Sequence, residues 1–204
     1  AVAGAKQSLF EARLLKWPSM TSHIRRAYDI RIAGSDRLVD MVALGEVDIA
    51  LAYNPILVPG TRSVAVGRQP LHAIVPPFSP LAGRGAVGLP ELMRDPLALL
   101  SERHGTRQLL ARAASDSGLT LAPLVETDSI TLLIRFVSAG LGITFLPRFS
   151  ATIQEARGEL AVVAVDEPLL MNASAHCIVR ARRRLPASVN AVATFLSGRM
   201  AAFG

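Results

Sequence analysis

One cysteine, Cys177, stands in 204 residues, which excludes an internal disulfide and a cysteine-built metal centre. It falls in the alternating run His176-Cys177-Ile178-Val179. A buried structural thiol is expected there, and a two-cysteine redox switch is not available. Long apolar runs are missing too: half of the residues are hydrophobic, but the runs are short and interrupted, so no helical membrane span is expected. Lysine occurs only at Lys6 and Lys16, so nearly all positive charge is arginine. The net charge of +6 comes from 22 basic against 16 acidic residues. Basic residues are scattered except at Arg25-Arg26 and at Arg180, Arg182, Arg183 and Arg184, and these read as a solvated face more readily than as a polyanion-binding surface.

Catalytic and metal signatures are also lacking. His23, His72, His104 and His176 lie far apart, none with a second ligand three or four residues away, so metal spacing is absent. Neither a G-x-S-x-G elbow nor a His-Glu-x-x-His pair occurs, and no carboxylates suggest a catalytic couple. The run Gly83-Arg84-Gly85-Ala86-Val87-Gly88 matches G-x-G-x-x-G, but it follows a proline-rich stretch in place of a strand, and Pro90 precedes any helix. A surface loop is the expected structure, not a dinucleotide site. Nothing argues for an enzyme or for a cofactor. The chain opens Ala-Val-Ala-Gly, without an initiator methionine or a leader-like segment, so the natural start is expected upstream, with room for a further module.

What is present alternates between strand and helix patterns. Residues 2–5 form an apolar run fit for a buried strand, and Ser8 with Glu11 has capping-box spacing for a helix toward Tyr28, kinked near Pro18. Residues 29–33 read as a strand, Ser35 as the cap of a helix carrying Leu38, Met41 and Val42, Gly45 as its end, and 47–52 as a strand buried on both faces. This β-α-β-α-β order implies a parallel sheet. The alternation breaks at 54–60 (NPILVPG), and 63–66 and 71–75 are strands with no helix between them, a crossover to a second subdomain. Residues 76–90 read as loop, followed by a short helix near Glu91 and a strand at 97–100. Thr106 is expected to cap the next helix, which Gly118 ends. A strand near 123–126 leads to the polar turn 126–129. Ser129 caps an apolar-rich helix ending at Gly140, and a strand follows at 141–146. Strands at 160–165 and 173–179 and a helix at 186–195 complete the chain.

Polar residues gather at the predicted strand ends and helix starts: Lys6, Gln7 and Ser8; Gly34 and Ser35; Asn54; Ser101 and Arg103; Thr127, Asp128 and Ser129. For any one hydroxyl, helix capping is a sufficient explanation. Together, at the carboxyl ends of strands where helix N-termini offer free N–H groups, they suit a ligand cleft.

Three stretches, in order and at matching separations, carry a resemblance. Residues 44–51 (LGEVDIAL), 72–81 (HAIVPPFSPL, with Phe78-Ser79 where a histidine is usual) and 131–147 (TLLIRFVSAGLGITFLP) closely resemble signature segments of the C-terminal effector-binding domain of LysR-type transcriptional regulators. The resemblance implies an α/β fold of two Rossmann-like lobes joined by two crossover segments, similar to a type 2 periplasmic binding protein. Residues 1–68 plus 176–204 would form lobe I, and 69–175 lobe II. It further implies effector contacts at Ser8, Ser35, and Thr127 or Asp128. Lys6 and Arg103 would offer charge to a carboxylate that Asp128 and Glu126, where ionised and facing inward, would repel. A small metabolite, an organic acid among the candidates, would bind between the lobes. Homodimers or homotetramers would form, and DNA would be reached only through an N-terminal winged helix-turn-helix outside these residues, in a cytoplasmic protein without membrane contact. The alternative is a stand-alone periplasmic solute-binding protein for a small organic anion.

Overall fold

A computed structural model describes residues 2–4, 29–181 and 184–200. Lys6, Gln7, Ser8 and the helix expected to start at Ser8 lie outside the described residues. Two sheets organise what is described. The first holds β1 (Val2–Gly4), β2 (Ile30–Arg31), β3 (Ile49–Tyr53), β4 (Thr61–Arg68) and β11 (Ser174–Arg180), in the order β2-β1-β3-β11-β4. β1 pairs parallel with both β2 and β3, whereas β11 runs antiparallel between β3 and β4.

The second sheet has the order β6-β10-β5-β9, with β5 (Leu71–Val75), β6 (Ala86–Gly88), β9 (Thr144–Pro147) and β10 (Ala161–Asp166). A parallel pair, β7 (Ala98–Leu100) with β8 (Val125–Thr127), joins its edge through a bridge between Leu97 and Ile143. Each sheet carries helices, so the chain forms two α/β lobes. It passes between them twice, at 68–71 and at 166–174. The second passage delivers Ser174 and Ala175 already paired to the first sheet.

Helix α1 (Ser35–Leu44) shows why its sequence is helical. Leu38, Val39, Met41 and Val42 recur at helical spacing on one buried face, packed against Val47, Ala50, Ala52 and Ile178 of the sheet. Gly45 ends it at φ 78°, the left-handed conformation glycine adopts without a Cβ penalty. On the opposite face of that sheet, α7 (Ala187–Met200) covers Ile49, Cys177 and Val179 with Val192, Leu196 and Met200. Cys177 is fully buried, as expected, and burial pushes its thiol up to about 12.

In the second lobe, α3 (Gly105–Asp116) lays Leu109, Leu110 and Ala113 into a core with Leu97, Leu99 and Ile143. On the other side α4 (Ile130–Ser138) buries Leu133, Ile134, Phe136 and Val137 against Ala98, Leu100 and Leu146. Ser129 caps α4, its hydroxyl accepting from Leu132 N at 3.2 Å. Four short pieces complete this lobe: α2 (Leu89–Leu92), α5 (Thr152–Ala156), α6 (Pro168–Met171) and a 3-10 turn at Arg148–Ser150.

Several expectations are corrected. Neither Ser35 nor Thr106 is a cap: the caps of α1 and α3 are Gly34 and His104, and neither makes a side-chain cap bond. Part of the stretch expected as loop, Ala86–Gly88, is strand β6, paired with β10. The strand expected from Leu141 begins only at Thr144, because Gly142 sits at φ 152° and Leu141 is exposed.

Candidate functional site

The N-terminal turns of α1 and α3 meet across the two lobes. Glycine makes that approach possible. A Cβ on Gly34 would collide with the carbonyl oxygen of Arg103, and one on Gly105 would collide with the carbonyl oxygen of Tyr53 and lie 2.7 Å from Ser35 Oγ. Beside them Gln108 Nε2 donates to Asp36 Oδ2 at 2.8 Å. One short seam thus contains two helix N-termini, each with backbone N–H groups lacking intrahelical partners.

Ser35 sits in the seam at 3% exposure, its hydroxyl donating to Tyr53 O at 3.0 Å. Tyr53 in turn ties the seam to the crossovers: its hydroxyl donates to Gln69 O at 2.6 Å, and burial raises the phenol above its ordinary range. Asn54 follows at φ 45°, the one non-glycine residue with positive φ among those described, in a conformation asparagine tolerates better than most. Its N–H donates to Ser174 O at 2.7 Å, and Gln69 N does the same to Ala173 O at 2.7 Å. The two crossover segments are therefore pinned together next to the seam.

On the second lobe, the ends of β7 and β8 bring Ser101 and Arg103 to Asp128. The Asp128 carboxylate accepts from the Ser101 hydroxyl, from Arg103 Nε at 3.1 Å and from a second Arg103 nitrogen. His104 Nε2 lies 3.1 Å from the same carboxylate. The local chain explains the convergence. Ser101 N donates to Thr127 O and His104 N to Ser101 O, forming a tight turn between β7 and α3. Thr127 Oγ1 accepts from Ser129 N at 3.1 Å, so Thr127 orders the turn into α4.

The first turn of α3 also holds two buried polar atoms without a hydrogen-bond partner, Thr106 Oγ1 and Arg107 Nε. Arg107 is 7% exposed, and among the described residues its guanidinium lies 3.8 Å from the exposed Glu102. Leaving a hydroxyl and part of a guanidinium buried and unpaired is unfavourable by about 1–3 kcal/mol each.

Of the residues singled out in the sequence, Ser101 and Arg103 both contact Asp128, Thr127 adjoins them, and Ser35 and Asn54 lie on the facing lobe. Asp36, Arg107 and Gln108 were not anticipated, and Thr106 and His104 were considered only as a helix cap and as one of four scattered histidines. The string Gly105-Thr106-Arg107 at a helix start was the available signal for three positions in that turn. The Asp36–Gln108 contact spans 72 residues and has no local signature. Among the described residues no group of acidic, histidine or cysteine side chains is arranged to hold a metal ion, and no helix is long and apolar enough to cross a membrane.

Comparison with known proteins agrees with this architecture. Residues 23–201 match the family described as LysR substrate binding domain. The HTH-type transcriptional regulator CbbR of Cereibacter sphaeroides is 35% identical over 177 residues, covering 78% of this chain and 56% of the relative. The chain thus spans about half the length of that relative. Among solved structures, the regulatory domain of Synechocystis PCC6803 CcmR in complex with 2-PG matches at a TM-score of 0.80 and 16% identity, covering 98% of this chain and 95% of that one. The effector-binding domain of QuiR in complex with shikimate matches at 0.75 and 15%, covering 95% and 93%. The fold is that of a type 2 periplasmic binding protein, and the family is one of regulatory ligand-binding domains, not of enzymes. The chain belongs to the LysR substrate-binding domain family.

Proposed function

We propose that this chain is the effector-sensing part of a LysR-type regulator, and that a small organic anion binds between its lobes at the seam of α1 and α3. The observation that carries this reading is the first turn of α3, where free N–H groups, the unpaired Thr106 hydroxyl and the buried Arg107 guanidinium stand beside the facing lobe. Solved relatives described in complex with 2-PG and with shikimate support a ligand at such a domain. Lys6, Gln7, Ser8, Ser35, Asn54, Ser101, Arg103, Thr127 and Asp128 are the proposed effector contacts, and lobe I (1–68 plus 176–204) and lobe II (69–175) the bodies that move.

The ligand performs its role by preferring one lobe arrangement. Its unequal affinity for the two arrangements shifts their populations, and the shift reaches DNA through a helix-turn-helix segment outside this chain. Homodimers or tetramers would transmit it, with the exposed face of α4 (Thr131, Leu132, Arg135) as a shared surface. Such a protein works in the cytoplasm. A free periplasmic solute-binding protein is not favoured, since the matched relatives are described as transcriptional regulators.

A thermal-shift screen with organic acids, phosphorylated acids, amino acids and sugars tests this. A ligand at about a hundred times its dissociation constant stabilises the fold by roughly 2.7 kcal/mol. The expected outcome is a saturable shift from an anion that weakens in Ser8→Val and in Thr127→Val. A hit whose affinity is unchanged in both variants would place its site elsewhere.

A further inference from the structure

Arg103 is an exposed cation beside the seam, yet it is already occupied. Its guanidinium makes two contacts with the Asp128 carboxylate, which also receives the Ser101 hydroxyl and His104 Nε2. These are the donors an incoming carboxylate or phosphate would seek. Asp128 is half exposed, and an exposed ion pair contributes little to stability. The carboxylate leaves the donors aligned and their charge met.

We propose that Asp128 is the cleft's resident anion: it holds Ser101, Arg103 and His104 until a ligand's own anionic group exchanges with it, and so sets which anions can bind. The proposal rests on the interlobe reading given above and goes beyond it by assigning a specificity-determining role. A weak monoanion that reaches only Arg103 replaces one carboxylate by another and gains little. A ligand that engages Arg103 and also the α3 turn, with its unpaired Thr106 and Arg107 atoms, gains donors that Asp128 does not use. Selectivity therefore falls on dianionic groups, a phosphate or a dicarboxylate, through a repulsive element built into the site.

The test uses inorganic phosphate as probe, titrated calorimetrically at constant ionic strength into the unaltered chain, Asp128→Asn and the double variant Asp128→Asn/Arg103→Met, with Glu126→Gln as a control for general charge removal. Removing a charge in direct contact corresponds to about a tenfold change in affinity. Asp128→Asn is expected to bind phosphate about tenfold more tightly, the gain to vanish in the double variant, and Glu126→Gln to stay within about threefold of the parent. Unchanged or weaker binding in Asp128→Asn, a gain that survives Arg103→Met, or an equal gain in Glu126→Gln overturns the proposal. Asp128→Ser serves as a second carboxylate-free variant should the first fold poorly. Competition separates this from the broader reading. If phosphate tightens but the compounds that stabilise the parent do not displace it, the interlobe effector site fails while the role of Asp128 stands. If phosphate does not tighten but those compounds still depend on Thr127, the reverse holds.

Discussion

Two partly buried histidines, His176 and His72, have different surroundings and shift in the same direction. His176 is bracketed by hydroxyls, with Ser63 Oγ 2.9 Å from Nδ1 and Ser174 Oγ 2.9 Å from Nε2, so a neutral ring can donate on one side and accept on the other. Burial lowers its pKa. His72 is lowered chiefly by burial as well, with the nearby Arg148 charge acting in the same direction against the Pro70 carbonyl. A base depressed in the folded state is protonated first in the unfolded chain. The stability these rings allow is therefore present above the unfolded value of 6.5 and is lost as pH falls through their folded values. Thermal midpoints are expected to decline as pH drops below about 6.5, and the decline to be shallower in His72→Gln/His176→Gln. An identical pH profile for parent and double variant would refute this. Among the described residues neither histidine belongs to a group of side chains that could hold a metal ion.

At the level of elements, caps and orphans separate stability from binding. Ser129→Ala removes the hydroxyl that accepts from Leu132 N and is expected to destabilise the fold by about 1 kcal/mol. Thr106→Val should behave oppositely. Its hydroxyl is buried without a partner, so an isosteric methyl is expected to leave the unliganded fold unchanged or stabilise it by about 1 kcal/mol, while weakening anion binding severalfold. Denaturant unfolding with and without ligand measures both, and a Thr106→Val variant that loses stability but keeps its affinity would show the hydroxyl to be structural. The helices were legible because their apolar spacing and end signals agree: Ser129 caps α4, Gly45 caps α1, and Gly140 takes a left-handed conformation just past the Ala139 cap of α4. Strand β6 was not, since Gly-Arg-Gly-Ala-Val-Gly reads as loop and only pairing with β10, more than 70 residues later, makes it a strand. Ser35 and Thr106 illustrate a related failure. Hydroxyls at helix starts read as caps, but a tertiary carbonyl took Ser35, and burial stranded Thr106.

For the whole molecule, the decisive geometry is the seam, which no local pattern in the sequence announces because its partners come from both lobes. Ser101, Arg103 and Asp128 could be named as strand-end polar residues, but their convergence needed the β7-β8 pairing. The contact of α1 with α3 needed two glycines, Gly34 and Gly105, each facing backbone of the other lobe. If lobe approach is what a ligand senses, the seam is the place to obstruct it. Gly105→Ala introduces a Cβ against the Tyr53 carbonyl and the Ser35 hydroxyl, so the lobes must separate or α3 must tilt. Alanine is also the better helix former, by up to about 1 kcal/mol in a helix interior, so α3 itself should not unravel. The expected result is a folded protein with a larger radius of gyration by small-angle scattering and at least about tenfold weaker ligand binding, in keeping with displacement of a bound-state contact. Scattering and affinity both equal to those of the parent would mean that the seam yields locally and that lobe separation does not govern binding. An expanded lobe arrangement with full affinity would detach ligand capture from closure, leaving the pinned crossovers at Tyr53–Gln69 and Asn54–Ser174 as the elements through which the lobes are held in register.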